Sequence, residues 1–257
     1  MSLSDTLNKN KFLFEELTKR DFKVKYKRTI LGMAWSLLYP LLTLFIQQLI
    51  FKRFFGSSIP HYTIYLFAGN IVWAYYREAT IGGMGSLLGN AHIFSKVNVP
   101  KYLFVFSKNV SAFINFLLTL VIFFIFVGTD GISFSVSFFS LIIPIITLAV
   151  FNIGVGLILS AMYVFFRDTG YLYEVFLTLL NYLSAIFYSV DNWSLNIQHL
   201  FLLNPVYCYI RYFRVAVIDG VFPSLILNLL CIFYAAAAMG IGSLIYKKFN
   251  HEFLYYI

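Results

Sequence analysis

A chain of 257 residues with 60% apolar and only 12% charged side chains is far from a soluble domain, which runs at about 45–50% apolar and about 25% charged. Its 30 Phe, 19 Tyr and 3 Trp exceed what one water-soluble interior buries, so the composition excludes a soluble globule and indicates an all-α polytopic membrane protein. The formal net charge of +8 does not indicate a nucleic-acid partner, because eight of the nineteen basic residues lie in the first 28 positions, ahead of the first long apolar run, where they read as a membrane-surface signal.

Residues 3–28 predict a helix whose stripe of Leu3, Leu7, Phe14, Leu17 and Val24 occupies one face, with basic residues around most of the rest. Such a helix lies along the inner membrane surface, apolar side in the acyl region and cations among the head groups. A regulatory or partner-binding helix is compatible with the same pattern. The charged stretch is too long for a cleavable signal, and the apolar run behind it is of bilayer length. Runs long enough to cross a core of about 30 Å, which takes about 20 helical residues, follow at 29–51, 62–89, 103–128, 136–166, 171–190 and 221–246. A further apolar stretch, 195–218, contains Asn204, Pro205, Arg211 and Arg214. An arginine at mid-bilayer costs about 2.5–3.5 kcal/mol or more, so this stretch reads as a partly immersed hairpin within 191–220. Six spans place fourteen of nineteen basic residues inside and leave Lys52, Arg53, Arg211 and Arg214 outside, with both termini cytoplasmic. A seventh span would send Lys247 and Lys248 outside. No repeat or linker divides the chain, and residues 1–257 form one membrane domain.

Several chemistries lack their residues. The pattern GxxxxGK[ST] is absent and no Gly-Lys pair occurs, so any ATP that drives this protein is hydrolysed on another subunit. His61, His92, His199 and His251 are scattered, and Cys208 and Cys231 lie in apolar runs without metal-ligand spacing; neither a metal site, a disulfide framework nor a resident cofactor is expected. Glu78, beside Arg77, is the main intramembrane carboxylate. It reads as half of a structural or gate-related ion pair, and as a coupling group in the alternative that the protein is an ATPase-independent channel or secondary transporter. A membrane-embedded glycan-transfer enzyme would need a carboxylate set that Asp168, Asp191 and Asp219 do not form.

The entry to the first span, Arg20-Asp21-Phe22-Lys23-Val24-Lys25-Tyr26-Lys27-Arg28-Thr29-Ile30-Leu31-Gly32-Met33-Ala34-Trp35, with Pro40 behind it, closely resembles the signature of membrane subunits of polysaccharide-exporting ABC transporters. These are the permeases for O-antigen, capsule and teichoic acid. Asn90 to Pro100 resembles that family's first cytoplasmic loop, Arg167-Asp168 its Arg-Asp after the fourth span, and Leu203-Asn204-Pro205 through Tyr212-Phe213-Arg214 its Asn-Pro and terminal Phe-Arg. One departure is that Ser184–Ser189 lacks a proline that members often carry near the outer end of the fifth span. The resemblance implies a homodimer bound to two ATP-binding subunits, which carry the ATP and Mg, moving an undecaprenyl-linked glycan outwards. It also implies a first cytoplasmic loop docked into the ATPase and two short re-entrant helices closing the outer side of the pore.

The matching pieces then acquire candidate roles. Lys25, Tyr26, Lys27, Arg28, Gly32 and Trp35 stand where the chain leaves the inner head groups. They suit either an interfacial anchor with a packing glycine or a cationic grip on the lipid pyrophosphate. Residues 90–102 form a coupling loop in which His92, Ile93, Phe94, Lys96 and Val97, with Arg167 and Asp168, are candidates for contact with the ATPase, Phe94 being an apolar anchor. Tyr39, Phe45, Tyr182, Phe187 and Tyr188 are candidates for pore lining, since flat rings hold pyranose C–H faces without trapping the chain. The same rings also suit lipid-facing packing. Asn204, Pro205, Arg211 and Arg214 are candidates for an outer gate.

Overall fold

The computed structural model describes the backbone of residues 3–26, 31–56, 58–94, 99–250 and 252–256, with the side chains of all of these except 3–10, 24–26, 33, 94 and 254. Ten α-helices run in order: α1 (Leu3–Tyr26), α2 (Trp35–Phe55), α3 (Tyr62–Gly89), α4 (Ala91–Phe94), α5 (Tyr102–Thr129), α6 (Ile142–Phe165), α7 (Thr169–Leu183), α8 (Leu195–Phe201), α9 (Pro205–Val217) and α10 (Leu225–Phe249). Short 3-10 turns at Gly32–Ala34, Val136–Leu141 and Glu252–Leu254 lead into α2, into α6 and out of α10. No strand occurs among the described residues. Among the described residues, three stretches are long and apolar enough to cross a bilayer: Tyr102–Thr129, the continuous Val136–Phe165, and Leu225–Phe249. Helices α2 and α3 are also long, but Gln47, Gln48, Asn70, Arg77 and Glu78 dilute their apolar content.

Helix α3 is the centre of the bundle, with every residue from Ile64 to Val72 buried. It packs against α2, α5, α6, α7 and α9, while α6 and α10 form the most extensive helix pair. In a membrane protein close backbone approach replaces much of the hydrophobic driving force, and glycines provide it here. A Cβ on Gly154 of α6 would fall 2.4 Å from the backbone of Ala238 and Met239 in α10, and one on Gly83 of α3 would fall 2.9 Å from the Gly156 Cα of α6. Side-chain hydrogen bonds tie α3 to other neighbours, α5, α7 and α2. The Tyr75 hydroxyl donates to Asn109 Oδ1 (2.9 Å), the Tyr173 hydroxyl to Thr80 Oγ1 (2.7 Å), Gln48 Nε2 to Thr63 Oγ1 (2.7 Å), and Asn70 Nδ2 to Gln47 Oε1.

The bundle has two chemically distinct ends. At one, Leu17 of α1, Leu87, Val99, Phe104, Val164, Tyr246 and Phe253 share an apolar cluster, with Ile93 and Phe165 packed on it. At the other, the loops after α2, α5 and α9 meet: His61 Nδ1 lies 2.6 Å from Asp130 Oδ2, and Ser135 Oγ donates to the Gly220 carbonyl at 3.3 Å. The buried Leu17 shows that part of the α1 stripe faces protein, where its sequence pattern alone suggested lipid.

Helix α7 stops earlier than the apolar run 171–190 suggests. Its 15 residues rise about 22 Å, and Ser184–Val190 continues without helical hydrogen bonding. Ala185 takes the left-handed φ of 48°, uncommon for a residue with a Cβ. Arg214 donates to two of the carbonyls released there, as described below. After α8 the chain turns at 202–204, and Asn204 caps α9 by accepting from the Val206 and Tyr207 amides at 3.0 and 3.4 Å, with Pro205 at the first helical position. That is the residue order a helix start favours.

Candidate coupling and substrate surfaces

The end of the bundle that carries α1 holds an ionic hub centred on Asp21, whose side chain is 4% exposed. Its Oδ1 lies 3.0 Å from Lys108 Nζ on α5 and 2.9 Å from Arg20 Nη2, while Oδ2 accepts from Ser107 Oγ at 3.2 Å. Arg20 Nη2 also donates to Asn90 Oδ1 at 2.7 Å, and Asn90 donates back to the Ser86 carbonyl of α3 at 2.7 Å. The Asn90 carbonyl in turn accepts from the Ile93 amide at 2.9 Å, shaping the turn into α4. A chain of short contacts thus runs from α1 through the α3–α4 elbow to the candidate coupling loop. A buried carboxylate persists only when paired and hydrogen-bonded, and three donors meet that need. We predict that Asp21→Ala frees α1 from α5, with a loss of about 1.5–3 kcal/mol of local stability and proteolysis within α1 accelerated by roughly tenfold or more. Unchanged cleavage of α1 in detergent would contradict it.

Of the coupling candidates, His92 is exposed, Ile93 is half-buried on the apolar cluster, and Arg167 and Asp168 are exposed beyond the end of α6. The side chain of Phe94, and Lys96 and Val97 entirely, lie outside the described residues. Ile93 and Phe165 lie on one cluster, so the two segments approach each other at this end. The final residues also gather there: Phe253 is buried, Lys101 Nζ donates to the Asn250 carbonyl, and Arg167 Nη2 donates to the Tyr256 carbonyl at 3.4 Å. Partial burial lowers the Lys101 ammonium from its ordinary range.

Among the interface candidates, Lys27 and Arg28 and the side chains of Lys25 and Tyr26 lie outside the described residues. Gly32 has a left-handed φ of 52°, with open space where a Cβ would be, so it turns the chain from α1 into α2 in a conformation glycine adopts without penalty. Trp35 is the first residue of α2 and is exposed.

The pore-lining candidates separate into two environments. Tyr39 and Phe45 project from α2 and Tyr182 from α7, all exposed by more than half. Phe187 is buried, stacked on Phe51 of α2 at 4.6 Å between centroids, and Tyr188 is half-buried and stacked on Trp193 at 5.6 Å.

The gate candidates differ more sharply. Asn204 and Pro205 start α9, and Asn204 Nδ2 also donates to the Leu183 carbonyl at 3.1 Å, tying α9 to the end of α7. Arg214 is fully enclosed. It donates to the Ala185, Ile186 and Tyr65 carbonyls at 2.9, 3.0 and 3.3 Å and lies 3.4 Å over the Tyr65 ring. The guanidinium is therefore met by three carbonyls and a π face, which suits a buried cation that makes no salt bridge among the described residues. Arg211, one turn earlier, is less than a third exposed, reaches the Tyr207 hydroxyl at 3.2 Å and opens onto a cavity of about 450 Å³. That cavity is also lined by Asp191 and Trp193 of the loop after α7 and by Asp219 beyond α9, residues the sequence pattern did not group. Burial, reinforced by Asp191, raises the Asp219 carboxyl above its usual range, with Arg211 opposing. Glu78 accepts from Asn115 Nδ2 of α5 at 2.7 Å, an interhelical contact. Cys208 and Cys231 are buried free thiols.

The sequence profile of the ABC-2 type transporter family matches residues 13–218. The chain belongs to that family. It is similar to the O-antigen export system permease protein RfbA of Klebsiella pneumoniae, 28% identical over 247 residues, 94% of this chain and 95% of the relative. It also resembles the O-antigen export system permease protein RfbA of Myxococcus xanthus, 24% identical over 183 residues, 70% of this chain and 69% of the relative. A third relative is the capsule polysaccharide export inner-membrane protein CtrC of Neisseria meningitidis, 23% identical over 208 residues, 80% of this chain and 78% of the relative.

Proposed function

We propose that this chain is the membrane permease subunit of an ABC transporter that exports a polysaccharide of O-antigen, capsule or teichoic-acid type, lipid-linked through undecaprenyl pyrophosphate, across the cytoplasmic membrane. The observation that carries this reading is the similarity to O-antigen export permeases along 94% of the chain. Two copies of the chain pair with two ATPase subunits, which bind ATP and Mg; this chain catalyses no hydrolysis of its own. Six crossings, by α2, α3, α5, α6, α7 with the segment behind it, and α10, leave both termini in the cytoplasm. The alternation of helix ends between the Asp21 end and the Arg211 end supports that count. Helices α8 and α9 form the re-entrant pair, with Arg211 and Arg214 towards the outer side.

In this reading, ATP binding closes the ATPase dimer, and residues 90–102 with Arg167 and Asp168 receive the motion. The contacts from Asn90 through Arg20 and Asp21 to Lys108 carry it to α1 and α5. Lys25, Lys27 and Arg28 hold the pyrophosphate at the inner surface, and the exposed rings of Tyr39, Phe45 and Tyr182 hold pyranose faces weakly along the path.

The test is reconstitution of the chain in proteoliposomes with its partner ATPase and a lipid-linked glycan. Wild type exports glycan in an ATP-dependent manner. Replacing Phe94 with Ala, an apolar anchor of a docked loop, lowers export by roughly 30-fold, the equivalent of about 2 kcal/mol of lost contact. Deleting residues 92–99 abolishes it. Survival of both glycan export and ATPase activity in the deletion overturns the docking role. Single cysteines placed at 199 and 218 label from the outer side only; labelling from opposite sides overturns the six-crossing topology.

A further inference from the structure

The 450 Å³ cavity beside α9 has a size usual for small-molecule sites, about 300–1,000 Å³, and its lining is organised. Tyr188 and Trp193 stack with planes 17° apart, and the Trp193 side chain remains 44% exposed. The loop that carries them is held in place. Gln198 Nε2 of α8 donates to the Asp191 and Trp193 carbonyls, both at 2.9 Å, while Ser189 Oγ donates to Asp191 Oδ2 at 2.5 Å and accepts from the Asp191 amide at 3.1 Å. The site is formed before any ligand arrives, which reduces the ordering cost of binding.

The charges select the ligand class. Arg214 also borders the cavity but directs its donors to the carbonyls of Tyr65, Ala185 and Ile186. Arg211 Nη2 and Asp191 Oδ1 stand 4.0 Å apart, beyond direct hydrogen-bond distance, a gap that a hydroxyl group donating to one and accepting from the other would bridge. Two carboxylates, Asp191 and Asp219, face two guanidiniums, so the lining is close to neutral overall. A phosphate would meet carboxylate repulsion and a metal ion would meet arginine. A polyhydroxylated neutral ring meets donors, acceptors and an aromatic face whose negative quadrupole attracts C–H bonds.

We propose that this cavity is a saccharide-binding subsite at the outer side of the permease, taking a neutral pyranose residue of the emerging glycan on Trp193, with Arg211 and Asp191 bridging its hydroxyls. The assignment of substrate and side rests on the export reading above. A weak subsite here gives the polymer a foothold beyond the gate and disfavours its return.

The test uses the full chain in detergent with Trp35→Phe and Trp73→Phe, so that Trp193 is its sole tryptophan, titrated with methyl α-mannoside, methyl β-galactoside and N-acetylglucosamine. At least one sugar produces a saturable change in Trp193 emission at millimolar concentration, and Asp191→Asn or Arg211→Gln weakens it about tenfold, the loss of one charge-assisted hydrogen bond. Asp191 is largely exposed, so its replacement leaves the core packing untouched. No saturable response to any of the three, the same curve in both variants, or saturation by inorganic phosphate or calcium instead overturns the proposal. Export in proteoliposomes separates the two readings. Wild-type export without sugar binding removes the subsite and keeps the exporter. Sugar binding without ATP-dependent export keeps the subsite and removes the exporter.

Discussion

Replacing Arg214 with Ala is expected to abolish export and to destabilise the protein by about 2–5 kcal/mol. The guanidinium is the donor for the Ala185 and Ile186 carbonyls, in a segment that has left helical hydrogen bonding, and it also reaches the Tyr65 carbonyl of α3. Each buried acceptor stripped of its donor costs about 1–3 kcal/mol, with charge-assisted bonds at the upper end, and truncation also empties the space over the Tyr65 ring. Arg214→Lys keeps a cation but has neither the planar fork nor the stacking face. It should recover part of the thermal stability and little of the export. Thermal unfolding followed by size-exclusion chromatography reads the first effect and proteoliposome export the second. An Arg214→Ala protein as stable as wild type would mean that the 184–190 segment is held by other contacts.

Gly154→Ala should be comparably damaging, by contact rather than by lost hydrogen bonds. The added methyl would sit 2.4 Å from backbone atoms of Ala238 and Met239, and neither helix backbone can yield locally, so α6 and α10 must separate along the largest interface in the molecule. Overpacking costs typically about 1–3 kcal/mol where side chains can shift, and a backbone clash belongs at or above the upper end. Gly85→Ala is the matched control. It is also helical, with open space where the methyl goes, so it gains about 1 kcal/mol of helix propensity. The same chemical change should therefore lower the unfolding temperature at one position and leave it level or raise it at the other. Equal effects at both would show that the α6–α10 contact is looser than its glycines imply.

Much of this architecture is written in uninterrupted apolar length. Runs 103–128, 136–166 and 221–246 correspond to Tyr102–Thr129, Val136–Phe165 and Leu225–Phe249 within a few residues, because a helix in lipid has few other ways to satisfy its backbone. The arginines in 195–218 likewise signalled that this stretch differs from its neighbours, and it forms two helices separated by the turn at 202–204. What escaped a periodicity reading was pairing across sequence distance. Asp21 looks like one acid among many lysines on a solvated helix; its burial depends on Lys108 and Ser107, more than eighty residues away. The end of α7 at Leu183 was hidden for the same reason, since the apolar run continues and the carbonyls released by the break are met by remote donors, Arg214, Asn204, Tyr62 and Tyr65. The cavity beside α9 joins Trp193 of the loop after α7, Arg211 of α9 and Asp219 just beyond it, and no local pattern unites them. The candidate pyrophosphate and docking residues remain defined by their motifs.

The anchorage of α1 has a mechanical consequence. The helix is held at Asp21, near its C-terminal end, and extends back to Leu3, a distance of about 27 Å at 1.5 Å per residue. Arg20, beside that contact, joins it through Asn90 to the elbow before α4, and Leu17, one turn further back, is also buried. A rotation of about 5° at this anchored segment would move Leu3 through roughly 2.4 Å on that helical length, so a spectroscopic label near Leu3 should report tilting of α1 more sensitively than one near Asn90.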